Sequence, residues 1–434
     1  MSVAEHCSID LPCAMVGAVC AIEGLRGAVA VVNGSTACKY LAGSVVEMQD
    51  PLGPRLDPRW PGAFGQTRVP CTNIDQEDVI FGMAGKVEAA LREVHRRCRP
   101  RLMALVNTCA AAAIGEDLTG LAAVLEEKLG CSIIIIDAPG FLGDAAVGWQ
   151  RAMEAVVLKT ARPMEEEGGI NIIGPSLLHG NWANDLDEIR RLLARCDIPV
   201  NAILGAGSDL AQVESLGRGL VNVVLAPDWG LGAAKLLEER LGLPFLKDLP
   251  LPYGIEGTDG FLRAILAHLG RGQEFCGEEG ESVRRRIIPY LEDLDRKGRL
   301  GGAAAALFGR PSLAIPLGRW LYEYLGVLPV VIGLKGSAVW EDWQKEAGPL
   351  AGETRLLFNP HPLAVQEAWA EARPDLIFGS ALERPWAPGA FIEVDYPMQP
   401  LLTMRPFLGY RGVLTLVEEI YHALMYYVLG NCDT

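Results

Sequence analysis

Three of the eleven cysteines in the sequence occupy positions suited to chemistry. Cys38 closes the run NGSTAC (33–38), which follows an apolar stretch, 27–32, that is typical of a buried strand. Cys109 follows a second such stretch, and Cys13 precedes an apolar run that is typical of a buried helix. Open α/β sheets bind ligands at the carboxyl ends of their strands. Because free N–H groups and a helix N-terminus favour the thiolate over the thiol, we interpret these three cysteines as candidate metal ligands.

Thiolates are soft ligands that suit iron–sulfur clusters, and cubane clusters take four of them. Three thiolates from one chain leave at least one to be supplied, which predicts a partner subunit that completes the site. The alternative is that they are ordinary buried thiols. That interpretation is applied to Cys20, Cys98, Cys131, Cys196 and Cys276. The sequence contains no C-x-x-C pair, so it has no local zinc or redox motif.

Other motifs in the chain carry weaker signals. The run Gly82–Lys86 has neither the spacing nor the hydroxyl of a Walker A motif, and Gly205-Ala-Gly207 lacks the third glycine of a dinucleotide fingerprint. If the activity requires nucleotide hydrolysis, we expect another chain to perform it. None of the six histidines has another histidine four residues away, and His179, just after a predicted strand, is the one expected to face a cleft.

The composition excludes several classes of protein. The chain has 434 residues, a net charge of −15 and a pI near 5.0, which argues against broad binding to nucleic acid or anionic membranes. No apolar stretch approaches the ~18 residues of a membrane span. The N-terminus lacks the basic region of a signal peptide, so we expect a cytoplasmic protein.

Apolar runs of strand length alternate with helical patterns along the whole chain. This alternation predicts an α/β fold of three Rossmann-like domains, each with a parallel sheet flanked by helices. We predict an N-terminal cluster-binding domain over 1–164, a second Rossmann-like domain over 165–275, and a third over 276–434 that ends in a C-terminal helix. A further helix is predicted to start near 258, capped by Thr258 or Asp259.

Several of these segments resemble the motifs of one family, the nitrogenase component 1 subunits. The three cysteine motifs of that family are similar to CAMVGAV (13–19), NGSTAC (33–38) and NTCAAAAIGEDL (107–118). Further similar segments are EDVIFG (77–82), APGFLG (138–143), PYGIEGTD (252–259), DLIFGS (375–380) and FLGYRG (407–412). The resemblance extends over nearly the whole chain.

The resemblance implies an iron–sulfur cluster at a subunit interface, with Cys13, Cys38 and Cys109 as its ligands. The cluster would be 8Fe–7S, like the P-cluster of nitrogenase, or 4Fe–4S. The glycines and serine implied to shape its pocket are Gly34, Ser35 and Gly115. Cys71, just before the EDVIFG motif, is either an additional ligand or redox-linked neighbour, or an ordinary thiol.

The implied partners are an α-type component 1 subunit, in an α2β2 heterotetramer, and an ATP-hydrolysing iron protein. The run APDW (226–229) has no cysteine where an α-type subunit would bind the active-site cofactor, so this chain resembles the β-type subunit. The expected function is to relay electrons from the iron protein through the interface cluster to a reductive site on the partner.

The substrate is the least determined part of this expectation. The short stretch before Cys13 favours a nitrogenase-like reductase over nitrogenase itself, and we expect a small organic sulfur compound, as in methylthio-alkane reductase, ahead of dinitrogen or a tetrapyrrole. A second hypothesis is a scaffold for the assembly of a nitrogenase-type iron–sulfur cofactor. A third is an α/β binding protein without a cluster.

Overall fold

The chain is described by a computed structural model with side chains. The residues that the structure describes are 12–49, 68–272, 277–336, 354–398 and 403–431, together with residues 347, 350 and 352. They form a mixed α/β protein with parallel sheets flanked by helices, which confirms the predicted fold class.

The chain divides into two compact units. The N-terminal unit comprises Leu11–Leu178 and Val200–Phe245, and the C-terminal unit includes His179–Pro199 and Leu246–Thr434. The division into three domains after residues 164 and 275 stays a prediction.

The first sheet of the N-terminal unit contains three parallel strands in the order β2-β3-β4. These strands are rich in valine, isoleucine and leucine and are mostly buried, as parallel strands covered by helices require. One face packs against two helices through a cluster that includes Val31, Leu91, Met103 and Leu125. The elements of this part are α1 (Ala14–Glu23), β1 (Leu25–Arg26), β2 (Ala28–Asn33), α2 (Thr36–Gln49), α3 (Gln76–Phe81), α4 (Ala84–Cys98), β3 (Leu102–Asn107), α5 (Cys109–Ile114), α6 (Thr119–Leu129), β4 (Ser132–Asp137) and α7 (Ala145–Thr160).

A second parallel sheet of the same unit has the order β6-β5-β8, and the two-residue strand β7 pairs with β1. The elements that complete the unit are β5 (Ile170–Ile173), β6 (Val200–Leu204), β7 (Ser208–Asp209), α9 (Leu210–Glu214), β8 (Val221–Val224) and α10 (Pro227–Leu241). A short 3₁₀ helix, Gly140–Leu142, follows β4.

The C-terminal unit is built on a five-stranded parallel sheet in the order β11-β10-β9-β12-β13. Its interior includes an edge-to-face contact between Phe308 and Trp369, with ring centroids 5.4 Å apart. Its elements are α8 (Trp182–Arg195), α11 (Gly254–His268), α12 (Glu278–Arg296), β9 (Ala304–Gly309), α13 (Pro311–Leu325), β10 (Leu328–Leu334), β11 (Arg355–Phe358), α14 (Pro362–Ala372), β12 (Leu376–Gly379), β13 (Ala390–Glu393) and α15 (Gly409–Asn431). In the parts of the chain that the structure describes, no helix combines the length and apolarity needed to cross a bilayer.

The predicted start of α11 near residue 258 is wrong, because the helix begins at Gly254. Thr258 does not cap the helix: its hydroxyl donates to the Gly254 carbonyl at 2.6 Å, one turn back within the helix. Gly254 adopts a positive φ of 75°, and a Cβ there would lie 2.0 Å from Cδ1 of Trp320. The first residue of the helix must therefore be glycine, because the Trp320 indole packs where a side chain would stand.

Helices α1 and α7 cross in direct backbone contact. A Cβ on Gly17 would lie 1.9 Å from the Ala145 carbonyl oxygen, and one on Gly148 would lie 1.7 Å from the Ala14 carbonyl oxygen. These two glycines allow the helices to approach closely, and the contact places the N-terminus of α1, where Cys13 lies, beside the start of α7.

We predict that Gly148→Ala lowers the free energy of unfolding by about 1–3 kcal/mol, since the new methyl group must separate α1 from α7. Gly120→Ala is the matched control, because a Cβ on this helical glycine meets nothing within 4 Å. It should leave stability unchanged or raise it by about 0.5 kcal/mol. Guanidinium unfolding of both variants measures the difference, and equal midpoints would contradict the close crossing.

Candidate metal centre

The carboxyl ends of β2, β3 and β4 lie side by side at one edge of the first sheet. Asn33 aligns with Asn107, and Asn107 aligns with Asp137, the last residues of the three strands. The chain continues from β2 to Cys38, the third residue of α2, and from β3 to Cys109, the first residue of α5. Both cysteines therefore lie just beyond adjacent strand ends, as the sequence predicts.

Cys13 and Cys109 meet at Gly140. The Gly140 N–H donates to Cys109 Sγ at 3.1 Å. A Cβ on Gly140 would lie 3.3 Å from Cys109 Sγ and 3.3 Å from Cys13 Sγ. The two sulfur atoms thus flank the same side of a residue that has no side chain. Cys13 is held there by a bridge to Asp144, at the N-terminus of α7.

The loop that carries Cys38 packs on the loop that carries Cys109. A Cβ on Gly34 would lie 2.5 Å from Thr108 Oγ1, so only glycine allows this contact. Thr108 in turn donates from its N–H and its hydroxyl to the Asn33 carbonyl, at 3.1 and 2.9 Å. Ser35 is hydrogen-bonded through its hydroxyl to Cys38 Sγ at 3.8 Å. Gly34 and Ser35 therefore contact the cysteine segments directly.

Gly115 has a local role in the structure. It ends α5 with a positive φ of 68°, and its N–H donates to the Ala111 carbonyl at 3.1 Å. A left-handed residue at this point favours glycine. Its predicted contribution to the shape of a cluster pocket stays a prediction.

Cys71 lies beside β2 at the same edge of the sheet. It pairs with Val32 in a parallel bridge, and the flanking residues exchange hydrogen bonds with that valine: Val32 N–H donates to Pro70 O at 2.9 Å and Thr72 N–H to Val32 O at 3.0 Å. Cys71 is half-buried, and its role as a ligand or an ordinary thiol stays open.

The other described cysteines include two that behave as core residues. Burial raises the pKa of Cys131 to about 11, and burial together with the nearby Glu23 carboxylate raises the pKa of Cys20 further. Both thiols are therefore protonated at neutral pH and unreactive. Cys98 and Cys196 are half-buried, and Cys276 lies outside the described residues.

His179, in the C-terminal unit, is buried. Burial and the positive charge of Arg310 hold the pKa of its imidazole well below the ordinary value, so the ring is neutral at pH 7. The structure assigns it no part in the cysteine site.

The residues present fit an iron–sulfur cluster. The donors are thiols, an amide already donates to one of them, and the absent side chain of Gly140 leaves space beside both sulfur atoms. Within the described ranges, no three His, Cys, Asp or Glu side chains gather closely enough to ligate a single ion.

Exposed apolar side chains stand near the site. The 3₁₀ turn that begins at Gly140 exposes Phe141, and the short helix α3 exposes Ile80 and Phe81, the latter with 84% of its surface. The sequence analysis includes these residues in two segments of the family resemblance, 77–82 and 138–143, but assigns no role to Gly140 or to the apolar side chains. The available signal was a Pro-Gly pair just after a strand end, and an apolar triplet, 79–81, inside an otherwise acidic turn.

The family model for nitrogenase component 1 type oxidoreductases matches residues 13–425. The chain belongs to this family. It is 29% identical over 366 residues to the B subunit of the light-independent protochlorophyllide reductase of Methylobacterium sp. (strain 4-46), covering 82% of this chain and 70% of that protein. It is 25% identical over 456 residues to the nitrogenase molybdenum-iron protein beta chain of Methanococcus maripaludis, covering 95% and 93%.

A third relative is the nitrogenase iron-molybdenum cofactor biosynthesis protein NifE of Clostridium pasteurianum, 26% identical over 361 residues, with 80% of this chain and 75% of that protein covered. Among solved structures, nitrogenase Cp1 at pH 6.5 superimposes with a TM-score of 0.81 over 99% of this chain and 94% of that one, at 20% identity. The solved structure confirms the nitrogenase component 1 fold, and the family membership confirms the resemblance described above.

We predict that, among the eight cysteines within the described ranges, the metal-free protein reacts with iodoacetamide fastest at Cys109, which is exposed. Cys20 and Cys131 should react at least tenfold more slowly at pH 7, because burial keeps them protonated. Their rates should rise with pH, since a raised pKa moves thiolate formation to higher pH. Mass spectrometry of timed samples measures this order, and labelling of Cys20 as fast as Cys109 would contradict it.

Proposed function

We propose that this chain is the β-type subunit of a nitrogenase-like iron–sulfur oxidoreductase. Cys13, Cys38 and Cys109 would bind an iron–sulfur cluster that an α-type subunit completes. The observation that carries the proposal is the meeting of Cys13 and Cys109 across Gly140, at the sheet edge from which the Cys38 loop also departs. Both the 8Fe–7S and the 4Fe–4S form are compatible with three thiolates from this chain.

A cluster bound there would accept and release single electrons. Two neutral hydrogen-bond donors of this chain contact the thiols. The Gly140 N–H stabilises negative charge on Cys109 Sγ, and the Ser35 hydroxyl does the same at Cys38. Donors to cluster sulfurs raise the reduction potential, so these two groups would ease the arrival of an electron.

The proposed electron donor is an ATP-hydrolysing iron protein, since this chain has no nucleotide motif of its own. The exposed run Val79–Phe81 supports a docking surface close to the site, because consecutive large apolar side chains in water mark interaction surfaces. Its helix is held by a capping box in which the Asp75 carboxylate accepts from the Glu77 and Asp78 amides, so the apolar residues are presented on a fixed element. An α-type subunit, in a heterotetramer of two α-type and two β-type chains, would cover the cluster.

The catalytic site would lie on the partner, so the residues of this chain would not contact the substrate. A small organic sulfur compound, such as a methylthio-alkane, is the first substrate to assay, followed by dinitrogen and a tetrapyrrole. The similarity to NifE supports one other candidate function, a scaffold that holds a maturing cofactor. The presence of all three cysteines favours the relay, because a scaffold does not need the interface cluster.

We predict that alanine at Cys13, Cys38 or Cys109 lowers the iron content of the complex at least twofold. Each change removes one thiolate ligand from the proposed cluster. Cys98→Ala is the matched control, because Cys98 is a half-buried thiol at the end of α4, away from the carboxyl ends of the strands. Iron per chain after anaerobic purification with the α-type partner measures the effect. Equal iron in all four variants would exclude the proposed ligands.

We also predict turnover by the complete system. The purified complex, mixed with its iron protein, ATP and a low-potential reductant, should reduce one of the three substrate classes, and product should not form when ATP is omitted. A complex that carries iron but reduces none of them, and instead transfers a metal cofactor to an acceptor protein, would establish the scaffold function.

A further inference from the structure

Four polar side chains form a continuous hydrogen-bonded row across the carboxyl edge of the first sheet. Thr72 donates from its hydroxyl to Asn33 Oδ1 at 3.0 Å. Asn33 Nδ2 donates to Asn107 Oδ1 at 2.8 Å, and Asn107 Nδ2 donates to Asp137 Oδ1 at 2.6 Å. We call these four residues the polar row. Its members lie at adjacent strand ends but are far apart in the sequence.

The direction of every hydrogen bond in the polar row follows from its last member. An ionised carboxylate such as Asp137 can only accept, so Asn107 must present its Nδ2 to it and its Oδ1 to Asn33. Asn33 must then present Nδ2 to Asn107, which leaves its Oδ1 to accept from the Thr72 hydroxyl. The Thr72 oxygen in turn accepts the Gly34 N–H at 3.1 Å. A single orientation satisfies all five residues.

The three members of the row that end a strand each lie shortly before a segment of the cysteine site. Asn33 precedes the loop that carries Cys38, Asn107 precedes Thr108 and Cys109, and Asp137 lies three residues before Gly140. The spacing between these segments is thus set by side chains as well as by the backbone ladder. Thr72, Asn33 and Asn107 are buried, so water offers them little alternative pairing.

We propose that the polar row positions the cysteine segments for the cluster, with Asn107 as the central positioning residue. This inference rests on the proposed function, because it concerns the assembly of the cluster at Cys13, Cys38 and Cys109. The row holds the Cys38 loop, the Cys109 loop and the Gly140 turn at the separation at which the thiols can share one group.

The substitution that tests the row with the smallest change in shape is Asn107→Asp. It places a carboxylate oxygen against the Asp137 carboxylate, at a position where the two atoms are now 2.6 Å apart, so the Cys109 and Gly140 segments should move apart. The double variant Asn107→Asp, Asp137→Asn restores a donor and an acceptor at that position and the original net charge. The new carboxylate at position 107 would still accept from Asn33.

The readouts are iron and sulfide per chain, and the electron paramagnetic resonance line shape of the reduced complex, purified anaerobically with its partner. We expect N107D to lose at least half of its iron and to show a broadened signal. The double variant should recover the iron content and line shape of the wild type. Recovery would show that a donor paired with an acceptor at this position, rather than the asparagine itself, is what the site requires.

A similar set of three asparagines in the second sheet, two buried and one half-buried, provides a matched control. Asn171 Nδ2 donates to Asn222 Oδ1 at 3.0 Å, and Asn201 Nδ2 donates to Asn171 Oδ1 at 2.8 Å. These residues lie near the starts of β5, β6 and β8 and precede no cysteine. Asn222→Asp removes the donor to the Leu243 carbonyl and should lower the melting temperature while leaving iron content and line shape unchanged.

The outcomes separate this inference from the proposed function. Wild-type iron and an unchanged signal in N107D would overturn the positioning role while the proposed function stands. Equal iron loss in N107D and N222D, at equal loss of melting temperature, would also overturn it, because general destabilisation would then explain both. A wild-type complex without iron would overturn the proposed function and this inference together.

Discussion

The parallel, in-register alignment of β2, β3 and β4 is the constraint from which the candidate site follows. Parallel neighbours end at the same edge of a sheet, so segments that are distant in the sequence emerge side by side. Asn33, Asn107 and Asp137 occupy matching positions in the ladder. A shift of one strand by one residue would turn its side chains to the other face. It would break both the polar row and the contact of Gly34 with Thr108.

The site also depends on places where a side chain is absent. Gly17 and Gly148 let α1 and α7 touch through their backbones, and this crossing determines where Cys13 stands. Gly34 admits the Thr108 side chain, and Gly140 leaves room beside two sulfur atoms while its amide donates to one of them. At these glycines, backbone atoms provide the close packing and the hydrogen-bond donor. Backbone atoms have no side-chain rotamers, so ordering them costs no side-chain entropy.

Under the proposed function, this chain is one component of an electron-transfer system. Its three thiols are fewer than a cluster takes, it has no nucleotide motif, and it presents apolar residues to solvent near the thiols. Family relatives include a reductase subunit, a nitrogenase beta chain and a cofactor biosynthesis protein. One fold therefore serves different activities in this family, and under the proposed function the partner that covers the thiols would decide between electron relay and cofactor assembly.

The sequence alone was sufficient for the α/β class and for the position of Cys38 and Cys109 just beyond the ends of two strands, because apolar runs and the residues that follow them are local signals. It could not reveal that Gly140 lies between two of those thiols, that Cys71 extends the sheet beside Val32, or that Asn33 pairs with Asn107. The start of α11 was predicted wrongly because Thr258 and Asp259 are local capping signals, whereas the helix begins at Gly254, which has no side chain and so leaves room for the Trp320 indole. These features join residues that are distant along the chain, and only the tertiary structure decides which of them meet.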